Sequence, residues 1–144
     1  EIQSDCGFLH EAALELCQTL DVHCMRDLTR GGLASAVIEV AQESGHSAEL
    51  LLDSIPVNDQ VSAFCEILGL DPVYVANEGR FAIWLSKDDA DKALKILHHH
   101  EITANACVIG EVVSQASYPV TLLTPYGTKR PLDMMSGEQL PRIC

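Results

Sequence analysis

Between Arg80 and Lys87 the chain reads R-F-A-I-W-L-S-K, a run whose two strand faces are both apolar. Phe81, Ile83 and Leu85 fall on one side, and Ala82 and Trp84 on the other. A strand with one wet face alternates apolar and polar residues, so this run is expected to be a central strand covered on both sides. The covers are visible along the rest of the chain. Leu9, Ala13, Leu16, Cys17 and Leu20 recur at helical spacing and predict an amphipathic helix over about 8–20. Leu33, Ala36, Val37, Val40 and Ala41 give a second stripe closed near Gly45, and Val61, Phe64, Cys65 and Leu68 a third, ended by Gly69 and Pro72. Ala90, Ala93, Leu94 and Leu97 form a fourth, with Lys92 and Lys95 on its wet side.

Strands are expected over Val22–Thr29, Ala48–Leu52, 103–114, 118–124 and Lys129–Leu132, with Pro125-Tyr126-Gly127 as a tight turn. Helices and strands interleave, yet the closing strands follow one another directly. That mixture favours an α+β fold, a mixed or mostly antiparallel sheet covered by helices, over a doubly wound parallel sheet. Residues 1–133 read as one domain. Residues 134–144, with Gly137, Pro141 and no sustained period, read as a flexible tail.

With 144 residues, a net charge of −12 and 47% hydrophobic content, the chain is a packed globular protein rather than a disordered one. An acidic surface with only 5% aromatic residues excludes a phosphate-backbone binder, and the same charge repels anionic membrane surfaces. No apolar run approaches the roughly 18 residues of a membrane span. The chain opens on Glu1 without a basic, then apolar leader, so it is expected to be part of a longer cytoplasmic polypeptide. The cysteines, at 6, 17, 24, 65, 107 and 144, form no C-x-x-C pair. Cys17 and Cys65 are expected on apolar helix faces and Cys107 in an apolar strand, with no structural disulfide.

Four constellations carry chemistry. Asp27-Leu28-Thr29-Arg30-Gly31-Gly32 precedes the second helix, whose amino end offers unpaired N–H groups to an anion. The glycines permit close backbone approach and Arg30 adds a charged fork. The same residues serve equally as a turn with Asp27 or Thr29 as helix cap. Asn77-Glu78-Gly79-Arg80, ahead of the apolar run, places a carboxylate where a general base acts, or forms an ordinary turn with a solvated ion pair. His98-His99-His100 splay around a helix end and cannot converge on one metal, so no metal ligand is assigned. Cys144, as the last residue, contributes little to a core. It has the reach of a carried thiol, with Arg142 as the only cation in the tail.

Taken together, MRDLTRGGLA at 25–34, DPVYVANEGRF at 71–81, VIGEV at 108–112 and the terminal PRIC at 141–144 resemble the C-terminal domain of the HypE family. These are hydrogenase expression/formation proteins, the carbamoyl dehydratases. The wider superfamily includes aminoimidazole ribonucleotide synthetase and selenophosphate synthetase, which share the glycine pair and the Gly110-Glu111 strand but lack the final cysteine. The resemblance runs from Ser4-Asp5-Cys6 to the end and implies a two-domain enzyme whose N-terminal ATP-binding domain is absent from this chain. It implies ATP bound in the cleft between the halves, Mg²⁺ held mainly by the N-terminal domain, and a homodimer formed through that domain. By resemblance, a HypF-type carbamoyltransferase loads a carbamoyl group on Cys144. ATP-dependent dehydration converts it to a thiocyanate, and the cyanide passes to an iron centre on a HypC–HypD complex for [NiFe]-hydrogenase maturation. Glu78 is then the candidate base, and Asp27, Thr29, Arg30, Gly31, Gly32 and Arg80 the candidates for nucleotide and phosphate. The chain alone is expected to be inactive. Two alternatives stand: another ATP-dependent synthetase of the superfamily, or a non-catalytic docking module.

Overall fold

In a computed structural model of the protein, residue 4 and residues 6–134 are described. The tail expected at 134–144 therefore lies, apart from Met134, outside the described residues, and Cys144 with it. The elements follow the order α1 (His10–Thr19), β1 (Val22–Leu28), α2 (Gly32–Ser44), β2 (Ser47–Leu51), α3 (Asp59–Leu68), β3 (Asn77–Leu85), α4 (Ala90–His99), β4 (Gly110–Val113), β5 (Val120–Leu123) and β6 (Lys129–Leu132). Short 3₁₀ turns occupy 52–54, 72–74, 87–89 and 101–103.

The strands form two sheets. β1 and β3 make an antiparallel pair, and β4-β2-β5-β6 make a mixed four-stranded sheet in which β2 and β5 run parallel. The fold is thus α+β with mixed strand pairing, as the interleaved pattern implied. Helix α2 is the centrepiece. Leu33, Ala34, Ala36, Val37, Ile38 and Ala41 are all buried, meeting Ala48, Leu50, Val120, Leu122 and Leu132 from the four-stranded sheet and Leu28 from β1. A helix apolar on nearly all sides has to be covered on several faces, and α2 is. A second core joins Ala12 and Leu16 of α1 to Ala93 and Leu97 of α4.

β3 corrects the expectation of a central strand. It has one strand neighbour, β1, among the described residues. Its two apolar faces have another cause: Ala82 and Trp84 pack on the α2 core, while Phe81, Ile83 and Leu85 pack on the α1–α4 core. The strand is central between two cores rather than central in a sheet.

Three local readings also change. Of the strand expected at 103–114, only Gly110–Val113 forms; 101–103 is a 3₁₀ turn and Cys107 is exposed in irregular chain, its thiol donating to the Ser54 carbonyl at 3.2 Å. Cys17 is exposed on α1, whereas Cys65 is buried on α3 as expected. Phe64 and Leu68, read as core from the α3 stripe, are 53% and 64% exposed. The stripe is real, but little of the described part of the chain lies against it.

Candidate functional site

The two motifs read separately in sequence meet at one end of the β1–β3 ladder. Leu28 pairs with Asn77 and Asp27 with Phe81, so Glu78, Gly79 and Arg80 bulge out between these two pairs. Bulges of this kind re-aim side chains next to sites. Asn77-Glu78-Gly79-Arg80 is therefore part of β3, not a turn preceding it, and it lies beside the chain leading from β1 into Thr29-Arg30-Gly31.

Asp27 and Thr29 do not cap α2. The cap position is Gly31, at φ 66°, with no side-chain cap bond and no acidic residue in the first turn. Asp27 instead accepts from Thr29, which, followed by the charge of Arg26, holds its carboxyl below the ordinary carboxylate range despite the opposing effect of partial burial. Arg26, which the sequence reading passed over, is the fastener here. Its Nη1 donates to Asp27 Oδ1 and its Nη2 to Glu39 Oε2, both at 2.8 Å, tying the end of β1 to α2. Only the folded chain signals this role, because Glu39 lies thirteen residues further on.

The glycine pair has a structural duty. Gly32 sits at φ 63°, and a Cβ there would lie 2.6 Å from the Val75 carbonyl oxygen and 2.7 Å from that of Val73. The close approach it permits is to this chain's own backbone. Arg30 is exposed and has no ion-pair partner among the described residues. Arg80 donates from Nη1 to the Pro56 carbonyl at 2.7 Å, which aims it at the loop before α3. Partial burial of the Cys107 thiol pushes it above its ordinary value, and the charge of Arg80 partly offsets this. Asn77 Oδ1 is buried with no hydrogen-bond partner among the described residues. A lone buried acceptor of this kind costs about 1–3 kcal/mol.

The histidines point apart. His98 Nε2 meets the Ala106 carbonyl and His100 Nε2 the Glu15 carboxylate, each at 2.7 Å. Among the described residues no group of three or more His, Cys, Asp or Glu is placed to hold a metal ion. The donor set at 27–32 and 77–80 does not fit Mg²⁺: Asp27 is taken up by Arg26 and Thr29, and one further carboxylate, Glu78, is too few to hold the ion by itself. It fits a phosphate better, through Arg30 and the uncapped, acid-free amino end of α2. No helix among the described residues is long and apolar enough to cross a membrane.

Residues 9–122 match the family model for the AIR synthase related protein, C-terminal domain. The chain belongs to this family. It is 42% identical to the carbamoyl dehydratase HypE of Rhodobacter capsulatus over 145 residues, covering 100% of this chain and 43% of that one. A crystal structure of the hydrogenase maturation protein HypE in complex with ATP superposes with a TM-score of 0.92 at 37% identity, covering 100% of this chain and 44% of that one. A HypE–HypF complex gives 0.85 at 34%, covering 92% and 43%. The chain therefore spans less than half the length of the relatives it matches.

Proposed function

We propose that this chain is the C-terminal domain of a carbamoyl dehydratase acting in [NiFe]-hydrogenase maturation. The observation that carries the reading is the 42% identity to a HypE over the entire chain. The meeting of the 27–32 and 77–80 motifs at one ladder end supports it. In this reading residues 1–133 are the synthetase-like domain and 134–144 the tail that presents Cys144. The N-terminal domain supplies Mg²⁺ ligands, most of the ATP site and the homodimer contact. A HypF-type carbamoyltransferase loads the Cys144 thiol, and a HypC–HypD complex receives the cyanide. The ATP complex and the HypE–HypF complex of the relatives support the nucleotide and the first partner.

ATP, when bound, supplies the phosphoryl group that makes the carbamoyl oxygen a leaving group. The residues of this chain do the rest. The carbamoyl nitrogen begins with two hydrogens; one leaves as the oxygen is phosphorylated and the other as phosphate departs, turning S–C(=O)–NH₂ into S–C≡N. Glu78, on the bulge, takes the first of these protons as the oxygen is phosphorylated, and the departing phosphate carries away the second. Arg30 and the α2 amino end stabilise the negative charge on the phosphoryl group, with Gly31 and Gly32 shaping the turn. Arg80, anchored at Pro56, keeps the bulge in place, and Asp27 with Thr29 fixes the approach to Arg30.

The test is thiocyanate formation by the full-length polypeptide given a HypF-type carbamoyltransferase, carbamoyl phosphate and ATP. Wild type is expected to form it and Cys144→Ala to form none at unchanged melting temperature. Equal thiocyanate from both would refute the assignment of Cys144. A tail that is never modified would make the chain a docking module.

A further inference from the structure

Helix α3 leaves part of its apolar stripe uncovered. Phe64, Ile67 and Leu68 are 53%, 79% and 64% exposed, while Cys65 beside them is buried. Positions 64, 67 and 68 share one helical face, and Val57 just ahead of the helix is also exposed. Single exposed apolar residues are ordinary; a contiguous group on one helix marks an interaction site.

The turn that follows α3 holds the end of the described chain. Leu68 leads through Gly69 into the 71–74 turn, and that turn holds the segment after β6. Arg130 Nη2 donates to Asp71 Oδ2 at 2.8 Å, and the Tyr74 hydroxyl donates to the Asp133 carbonyl at 3.0 Å. Residues 135–144, M-S-G-E-Q-L-P-R-I-C, follow directly on this held segment in the sequence. Ten residues reach about 33 Å extended. Helix α3, ten residues long, spans about 15 Å. The apolar residues also match. The segment has Met135, Leu140 and Ile143, with one cation, Arg142, and one acid, Glu138, while α3 carries Asp59 and Glu66 with no Lys or Arg.

We propose that the exposed face of α3 is the docking surface for residues 135–144 of this same chain. Met135, Leu140 and Ile143 cover Phe64, Ile67 and Leu68, and Arg142 faces the acidic residues of the helix. Docking would hold the terminal thiol on the domain between its encounters with partners. That use rests on the role proposed above for Cys144, whereas the docking rests on the geometry alone.

The experiment compares hydrogen exchange of the α3 amides in the full-length polypeptide with that in one ending at Met134. Loss of residues 135–144 is expected to speed α3 exchange roughly tenfold, the factor equivalent to 1.4 kcal/mol, and to leave α2 and β2 unchanged. In the intact chain, Ile67→Asp should speed tryptic cleavage at Arg142 by about the same factor. Ile67 is largely exposed, so the variant keeps its fold, and Tyr126→Asp, at a 94% exposed site, serves as the control that changes nothing. Identical α3 exchange with and without residues 135–144 overturns the proposal. Sedimentation at two concentrations then tells whether a second copy or the preceding part of the polypeptide covers the face. The readout needs no carbamoyl chemistry, so a failed thiocyanate assay and a failed docking test are distinguishable.

Discussion

At Gly32 two constraints coincide, a φ of 63° and backbone carbonyls where a Cβ would go. Gly45 has only the first, at φ 69° with open space around it. Gly45→Ala is therefore expected to destabilise by about 1–2 kcal/mol, the left-handed penalty alone. Gly32→Ala should add a further 1–3 kcal/mol or so of overpacking, read as a lower urea midpoint. Asp27 makes a pH prediction. Its carboxyl is held below the ordinary value of 3.8, so the stability it contributes is present above that pH and is lost as pH falls through the lowered value. Asp27→Asn should then lower stability at pH 7, read from urea unfolding, by no more than about 1 kcal/mol because the Arg26 pair is partly exposed. The difference from wild type should vanish in strong acid. The sequence made the glycine pair legible but not its reason, because Val73 and Val75 come from a distant turn. It likewise hid Arg26, an ordinary basic residue until the fold sets Glu39 opposite it.

Among the elements, those with a complete local pattern were readable: the four helical stripes correspond to α1 to α4, with Leu9 and Leu20 at the two caps of α1, and Lys129–Leu132 is β6. Alternation in an apolar stretch misled at 103–114, since a strand also needs a neighbour. Only Gly110–Val113 has one, in β2. The stripe of α3 shows the same limit, because periodicity reports an apolar face and not what covers it. Burial therefore separates cysteines that look alike in sequence. Cys65→Ser should destabilise by about 1–3 kcal/mol through a poorly paired buried hydroxyl. Cys17→Ser should stay within about 0.5 kcal/mol, as exposed substitutions do. Chemical denaturation of the two variants checks both values. Leu16→Ala, in the α1–α4 core at 0% exposure, is expected to lose about 2–5 kcal/mol.

On the proposed reading, the site of the whole molecule is divided between this chain and the rest of the polypeptide. This chain brings Glu78, Arg80 and the 27–32 turn to one ladder end, yet the described residues gather no metal cluster. Titration of Mg²⁺-ATP into the 144-residue chain by calorimetry is accordingly expected to show no tight binding; tight binding would contradict the division of labour between the halves. The central claim is that the Glu78 bulge dehydrates a group carried at Cys144. Its most direct test is the mass of the C-terminal peptide from full-length Glu78→Gln, after incubation with a HypF-type carbamoyltransferase, carbamoyl phosphate and ATP. General base catalysis is worth roughly 10²–10⁴ in rate, so the carbamoyl adduct should form on Cys144 and accumulate, where wild type loses water and passes on to the thiocyanate. Loss of water from the Glu78→Gln adduct at the wild-type rate would contradict the account and place the base outside this domain.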